Sequence, residues 1–125
     1  MAAPVVERIE WGRELIDGLG DTLGDDQASI AADVQTGAAC GWRVDDGAAY
    51  IVTRIDENAS RRECVVVAVA GRDLRTITPI IYNAAQRAGC SRIRWHTQRP
   101  GLARIVARDF DVSHVETVFS VEVTP

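Results

Sequence analysis

The sequence predicts a single α/β domain over residues 1–125, with a mixed, mostly antiparallel central sheet flanked by helices. Three observations predict this fold class. An Asp-Asp-Gly turn at 45–47 separates two strand-like runs, which is a good short-range hairpin signal. The unbroken apolar run at 64–70 is typical of a central strand covered on both faces. Apolar residues over 74–88 recur with the spacing of an amphipathic helix, and no linker or repeat divides the chain.

The N-terminal third is predicted to form two helices. An apolar stripe at helical spacing predicts the first over 5–17, closed by Gly18 and Gly20. Asp25 or Asp26 is a suitable N-cap for the second, because a carboxylate accepts hydrogen bonds from the free amides of a first helical turn. Gly37 is expected to end this helix, since glycine readily adopts the left-handed conformation that often follows a helix.

The middle of the chain is predicted to contain the hairpin, the buried strand and a helix. The hairpin strands cover 39–44 and 48–55, and the buried strand follows them. The helix after the buried strand contains Pro79, and an interior proline costs about 3 kcal/mol. Pro79 is therefore expected within the first turn, with Thr76 or Thr78 as the cap.

The C-terminal third is predicted to contain a strand, a helix and one or two final strands. Ile93 and Trp95 mark a short strand after the glycine that ends the preceding helix. Pro100 is expected to open a helix that runs to 108. Alternating apolar residues between 115 and 123 indicate the final strands.

This order of elements resembles the GCN5-related N-acetyltransferase (GNAT) superfamily over nearly the whole chain. The resemblance is most specific in the stretch 88–110, where a helix ends, a strand follows and a short helix leads to a corner formed by Asp109 and Phe110. In overall pattern the chain is also similar to the small GNAT-like proteins of tailed bacteriophages, including internal virion proteins. The first resemblance implies an acyl-CoA N-acyltransferase fold, which does not by itself imply the activity.

The resemblance places the family's phosphate loop, Gln/Arg-x-x-Gly-x-Gly/Ala, at 72–77. Arg72 fits its first position, but Arg75 and Ile77 stand where the family has small residues. Small residues let the backbone amides approach the CoA pyrophosphate closely. Two side chains there would crowd the phosphate path, and Asp73 adds a repulsive charge. We therefore expect a degenerate site with no catalytic residue and no cofactor.

The tyrosine that many members use to protonate the leaving thiolate aligns with Ile105, which has no proton to give. The asparagine often found at the start of that helix aligns near Gln98. If the chain is nevertheless active, the resemblance implies acetyl-CoA as the cofactor. The residues that contact it would be Val67 and Val69 through their backbone, and Arg72 and Arg75 through their side chains.

Two further sets of titratable residues are candidates for acid–base chemistry. Acidic residues near the start of the buried strand act as bases in some GNAT enzymes, and Asp56, Glu57 and Glu63 lie there. A solvated turn explains these carboxylates equally well. His96 has an unperturbed pKa suited to a general base, but a lone histidine at a strand end is more often structural.

Charge composition bears on the partners. The net charge of −4 argues against indiscriminate binding to nucleic acid, so a role with nucleic acid is not expected. Arginine and tryptophan are enriched at binding hot spots. Trp95, Arg99, Arg104 and Arg108 are therefore the candidate interaction residues, for a protein partner or for self-association. For Trp95 this requires an exposed apolar patch, and the simpler interpretation is a core or half-buried residue.

The cysteines and the apolar runs bear on the compartment. Cys40, Cys64 and Cys90 are widely spaced, and neither histidine lies at metal-ligand spacing from them, so we expect buried thiols and no metal site. No apolar run approaches the roughly 18–20 residues that span a bilayer, and the start does not resemble a signal peptide. We expect a cytoplasmic protein, or one packaged in a phage particle.

The leading hypothesis from the sequence is a non-catalytic GNAT-like domain that serves as a structural or interaction subunit of a bacteriophage virion, or as a phage accessory protein. The alternative is an acetyl-CoA-dependent N-acetyltransferase.

Overall fold

The computed structural model describes residues 4–71, 74–96, 112–115 and 118–124. Their strands are β1 (Val6–Ile9), β2 (Cys40–Val44), β3 (Ala49–Glu57), β4 (Arg62–Gly71), β5 (Arg92–His96), β6 (Val112–Val115) and β7 (Val118–Glu122). Their helices are α1 (Arg13–Leu19), α2 (Gln27–Thr36) and α3 (Leu74–Arg87), with a 3-10 segment over Gly20–Asp26. The strands form one seven-stranded sheet in the order β1-β2-β3-β4-β5-β7-β6. The pair β4–β5 is parallel, and the other pairs in these ranges are antiparallel.

Two apolar layers cover opposite faces of the sheet. α3 packs on one face through Ile77, Ile81 and Ala85, and the first layer also contains Val44, Ala49, Ile51, Cys64, Val66, Val69, Cys90, Ile93, Trp95, Val121 and Val123. α1, the 3-10 segment and α2 cover the other face, with Leu15, Leu19, Leu23, Ile30, Ala39, Val52 and Ala68 in the second layer. Because β4 contributes to both layers, the prediction of a central strand covered on both faces is confirmed.

The prediction of a first helix over 5–17 is wrong. Val6–Ile9 forms an edge strand paired antiparallel with β2, and the helix begins only at Arg13. Gly12 has an extended backbone that separates the two elements. The apolar residues at 5, 6 and 9 are β-branched and suit a strand, and the free edge of β2 supplies the hydrogen bonds that decide between the two structures. Gly20 caps the end of α1, as predicted, with a positive φ of 52° and its amide bonded to the carbonyl of Ile16. Gly18 lies inside the helix, where a β-carbon would collide with the ring of Tyr50.

The second helix and the hairpin agree with the sequence. α2 follows Asp26 and ends at Gly37, whose positive φ of 85° lets its amide bond to the carbonyl of Val34. Asp26 makes no side-chain capping bond, so it occupies the predicted cap position without the predicted contact. The hairpin turn places Asp45 and Asp46 at positive φ, which is the geometry that asparagine, aspartate and glycine tolerate best.

α3 covers nearly the predicted range, but Pro79 is its sixth residue and not part of the first turn. Proline has no N–H, so the carbonyl of Arg75 lacks its usual helical partner at i+4. Thr76 and Thr78 both lie within the helix, which begins at Leu74, before the two residues expected to cap it. The buried stripe of α3 lies on the sheet on both sides of the proline, and this packing offsets the missing hydrogen bond.

The C-terminal strands also agree with the sequence. The strand marked by Ile93 and Trp95 is β5, and the alternating tail forms the antiparallel pair β6 and β7. The helix expected from Pro100 to 108 lies outside the described residues. No helix in the described ranges combines the length and apolar character that crossing a membrane requires.

One ion-pair cluster fixes α1 to the first three strands. Arg43 Nη1 donates to both carboxylate oxygens of Glu14 at 2.9 Å, and Nη2 donates to Glu7 at 2.9 Å. The Tyr50 hydroxyl donates to the same Glu14 carboxylate at 2.7 Å. The hydrogen bonds from Arg43 and Tyr50 hold the pKa of Glu14 below its usual 4.5, and the bond to Glu14 raises the pKa of Tyr50. The four side chains join β1, β2, β3 and α1 at one end of the sheet.

The three cysteines differ in exposure. Cys64 and Cys90 are buried in the layer under α3, as predicted, whereas Cys40 at the start of β2 is half-exposed. Burial raises the pKa of Cys64 to about 12 and also raises the pKa of Cys90. The thiolate is the reactive form of cysteine. These two thiols are therefore protected from alkylation both by their raised pKa, which keeps them protonated, and by their burial.

We expect Glu14→Gln to lower the urea midpoint of unfolding at pH 7. The folded-state pKa of Glu14 is depressed, so its stabilisation is present above the ordinary value of 4.5 and is lost as the pH falls through the lower folded value. The difference from wild type should therefore hold between pH 7 and 5 and shrink below pH 4.5. Asp17→Asn, on the same helix, is the matched control and should change little. An undiminished difference at pH 3 would contradict this role.

Alkylation with iodoacetamide at pH 8, followed by peptide mass mapping, should modify Cys40 at least 10-fold faster than Cys64 or Cys90. Unfolding in urea should make the three rates similar, because the difference comes from burial. Equal rates in the folded protein would show that the layer under α3 is open to solvent.

Candidate functional site

The described parallel pairing of β4 with β5 ends halfway along β4. The two strands pair over four positions, from Glu63 opposite Arg92 to Val66 opposite Trp95. β4 continues to Gly71, and beyond Val66 it pairs in the described residues with β3 alone. The β5-facing edge of this half of β4 therefore carries backbone amides and carbonyls that no described strand satisfies. Such an edge can pair with an extended ligand.

A β-bulge lies where this pairing ends. The pairing of β3 with β4 passes from Val52 opposite Ala68 to Thr53 opposite Val66 and leaves Val67 without a partner. A bulge bends its strand and increases the local twist, so the direction of β4 changes at Val67. The uninterrupted apolar run of the sequence gives no signal of this extra residue.

The side chains of this half of β4 are committed to packing. Val69 is 5% exposed and belongs to the layer under α3, while the half-buried Val67 packs against the layer under α1. The backbone of both residues lies on the unpaired half of β4, and their assignment to a cofactor stays a prediction. Gly71 is held close to β3, where a β-carbon would lie 2.6 Å from that of Ala49.

The first turns of α3 follow β4 at the same end of the sheet. Arg75 is exposed. Ile77, in contrast, is 4% exposed and packs in the layer between α3 and the sheet with Ile81. The expectation that Ile77 crowds the phosphate path is therefore wrong, because its side chain is directed into the core. Arg72 and Asp73 lie outside the described residues, so the expectations for them stay predictions.

Glu63 is a buried carboxylate at the end of the β4–β5 pairing that lies away from the bulge. It lies on β4, is 7% exposed, and its Oε2 has no hydrogen-bond partner. Its nearest cation is Arg92 Nη1, at 4.0 Å. The sequence allowed Glu63 to lie in a solvated turn, but the residue is buried on a strand. The sequence offered one indication of this burial. Glu63 lies two residues before the buried Val65, and side chains two apart on a strand lie on the same face.

Ion pairs surround Glu63 on the same face of the sheet. Arg92 donates from Nε and Nη2 to Oε1 of Glu122, at 3.0 and 2.9 Å, and Arg61 also contacts Glu122 at 3.1 Å. Burial raises the pKa of Glu122, but the bond from Arg92 and the two positive charges outweigh it and hold the pKa low. Arg92 is thus held mainly by Glu122, and one oxygen of Glu63 stays available.

Asp56, also predicted as a possible base, is fully engaged. Arg54 binds it through Nε and Nη2, at 2.8 and 3.2 Å, and Arg94 binds it at 3.3 Å. Glu57 is exposed and pairs with Arg62 at 3.4 Å. Of the three predicted carboxylates, Glu63 alone combines burial with an unsatisfied oxygen in the described part of the chain. A buried carboxylate oxygen without a hydrogen bond lowers the stability of the protein, so its presence calls for an explanation such as a functional role.

The predicted interaction residues have different outcomes. Trp95 is 1% exposed and lies in the core under α3, so the prediction that it forms a contact surface is wrong. Arg99, Arg104 and Arg108 lie outside the described residues, as does Ile105. Of His96 only the backbone is described. Throughout the described ranges, no three His, Cys, Asp or Glu side chains group as a metal ion would require.

Several solved structures share this fold. An acetyltransferase of Bacillus subtilis, in complex with CoA, matches with a TM-score of 0.70 at 11% identity, over 97% of this chain and 99% of its own. The IAA acetyltransferase from Bacillus cereus matches with a TM-score of 0.59 at 15% identity, over 96% and 99%. A mutant AtaT toxin, bound to the C-terminus of the antitoxin AtaR, matches with a TM-score of 0.59 at 8% identity, over 95% and 91%.

These matches confirm the predicted GNAT-like fold. The identities are too low to show more than the fold, and the sequence matches no protein-family model and no curated protein. The B. subtilis structure contains CoA, and the AtaT structure contains a protein partner, which are facts about those proteins.

We expect Glu63→Met to raise the free energy of unfolding at pH 7 by about 1 kcal/mol, because an apolar side chain of similar size removes a buried charge that is poorly paired. Glu57→Met, at an exposed carboxylate on the neighbouring strand, is the control and should stay within about 0.5 kcal/mol of wild type. Urea unfolding measures both. A loss of more than about 1 kcal/mol in Glu63→Met would instead make the carboxylate a structural group.

Proposed function

We propose that this protein is an acyl-CoA-dependent N-acyltransferase that uses the opening between β4 and β5. The observation that carries the proposal is the end of the parallel pairing at Val66 next to the bulge at Val67. An unpaired strand edge beside a bulge leaves a slot for an extended chain with amide groups. The pantetheine arm of CoA is such a chain, and we assign the backbone of Val67 and Val69 to it.

The residues at the start of α3 fit the phosphate end of the same ligand. The N-terminal end of a helix attracts anions through its free amides and its dipole. Arg75 adds an exposed guanidinium there, which can bind a phosphate through two hydrogen bonds. With Ile77 directed into the core, two departures from the usual loop remain: Arg75, whose side chain can itself bind phosphate, and Asp73, which lies outside the described residues.

Glu63 is our candidate for the general base. In the reaction, the amine nitrogen attacks the thioester carbon, the C–N bond forms, the C–S bond breaks, and the sulfur leaves as a thiolate. Glu63 accepts a proton from the amine, and solvent protonates the thiolate. Glu63 lies four residues before Val67, about 13 Å along an extended strand. A chain of several water molecules therefore carries the proton from the amine to Glu63. The acyl-CoA supplies the activated acyl group.

A second candidate is the non-catalytic interaction subunit, such as a phage structural or accessory protein. One observation favours it. The stretch from 72 to 88 contains no glycine, and Arg75 stands where the family has one. On this view Arg75 obstructs the phosphates, and the fold presents its surface to a protein partner. The two candidates predict opposite effects of removing the Arg75 side chain.

Calorimetric titration with acetyl-CoA distinguishes the two candidates. We expect saturable micromolar binding that weakens about 10-fold in Arg75→Gln, because a charge-assisted contact to phosphate is lost. Arg87→Gln, at the other end of α3, is the matched control and should change the affinity less than 2-fold. Binding that is absent in wild type and gained in Arg75→Gly would support the interaction subunit and overturn the proposal.

A further inference from the structure

β1 forms one edge of the sheet. It stands first in the strand order and pairs with β2 alone among the described strands. Val5 and Val6 are 58% and 39% exposed, which is unusual for large apolar side chains next to a sheet. An edge strand carries N–H and C=O groups that no neighbouring strand satisfies, and these groups can pair with a strand of another chain. The edge of β1 can therefore accept one more strand.

The hydrogen bonds of β1 show which backbone groups lie on this edge. The amide of Asp45 donates to the carbonyl of Val5 at 2.8 Å, where the two chains continue the register of β1 and β2. In an antiparallel pair, residues bonded to the partner strand alternate with residues whose groups point away from it. Every second residue from Val5 onward therefore bonds to β2, and Val6 and Arg8 present their N–H and C=O groups outward. The same alternation, continued past the end of the strand, assigns Glu10 to the outward set.

Arg8 and Glu10 are the charged members of this outward set. Arg8 lies opposite Trp42, whose side chain packs against the layer under α3, and alternation places Glu10 on the same face. Both are exposed, and within the described ranges neither forms an ion pair or a side-chain hydrogen bond. Glu7, in contrast, is paired with Arg43 at 2.9 Å. The edge thus presents one cation and one anion, two residues apart on one face, to any strand that pairs with it.

We propose that a second copy of this chain pairs antiparallel with β1, about a two-fold axis that passes between the two copies of Ile9 normal to the sheet. In this register Arg8 of each copy lies opposite Glu10 of the other, and their outward N–H and C=O groups bond to one another. Two pairs of opposite charges then face each other across the strands. On the opposite face of the sheet, which α1 and α2 cover, the two Ile9 side chains meet. The edge is therefore complementary to itself in hydrogen bonding and in charge.

The other two-fold registers along this edge are unfavourable. An axis at Glu7, Arg8 or Glu10 places two like charges directly opposite one another, which destabilises a pair of strands. An axis nearer the start of β1 places an outward residue opposite Pro4, whose nitrogen has no hydrogen to donate. Charged residues on an edge strand usually prevent pairing with other chains. On β1 they leave one register open, because the cation and the anion flank a single residue symmetrically.

The proposed pairing is small and lies apart from the acyl-CoA opening. A few residues from each copy take part, which belongs to the class of interfaces below about 1,200 Å². We therefore expect a dimer that dissociates on dilution. β2 and β3 separate β1 from β4, so the dimer and the proposed acyl transfer do not depend on each other.

Sedimentation velocity of the full chain between about 10 μM and 1 mM tests for this dimer. We expect the wild type to shift from monomer towards dimer across this range. Arg8→Glu sets two glutamates opposite each other, and Glu10→Arg sets two arginines opposite each other, so each variant alone should dimerise about 10-fold more weakly or worse. An equimolar mixture of the two variants should recover dimerisation to within about 3-fold of wild type, because every cross-strand pair again joins a cation to an anion.

Arg87→Glu, on the exposed surface of α3, is the matched control and should change dimerisation less than about 2-fold. Amide exchange gives a second readout, since the outward amide of Arg8 should slow about 5-fold or more as the dimer forms, while the amide of Glu7 changes little. A monomer at every concentration would overturn the proposal and leave the edge to an extended segment of another protein. A dimer that survives both charge reversals, or that the mixture fails to restore, would overturn it as well.

Discussion

Val67 has no partner on β3, and β4 ends its pairing with β5 one residue earlier. A bulge adds twist to its strand, and this one lies directly beyond the last parallel pair. The half of β4 after the bulge therefore presents, on its β5-facing edge, backbone groups that no described strand satisfies. The rest of the candidate site depends on this opening.

The surrounding structure holds the opening in place. β4 is fixed on both faces, since its side chains enter the layer under α3 and the layer under α1. The cluster of Glu14, Arg43, Tyr50 and Glu7 anchors α1 on the first three strands. On the other side, Glu122 holds Arg92, so that Glu63 keeps a buried oxygen without a hydrogen bond. Packing thus holds β4 on both faces, and the two ion-pair clusters join the strands on either side of it.

The sequence was sufficient where one local pattern decides the structure, as in the Asp-Asp-Gly hairpin, the buried run of β4 and the end of α2 at Gly37. It misled at 5–9, where the helical spacing of apolar residues competed with the free edge of β2 and lost. It also misled at Ile77, because a position in an alignment does not show which way a side chain points. Trp95 lies in the core, since the enrichment of tryptophan at binding surfaces does not show which tryptophan is exposed. The bulge at Val67 leaves no trace in the sequence. It arises from the pairing of three strands.

The central claim is that the bulged half of β4 receives an acyl-CoA. Titration of the ¹⁵N-labelled protein with acetyl-CoA, followed by amide NMR, tests it most directly. We expect saturable shifts that are largest for the amides of 67–71 and the first turn of α3, with little change around β1. The absence of saturable shifts, or shifts confined to another surface, would contradict the claim.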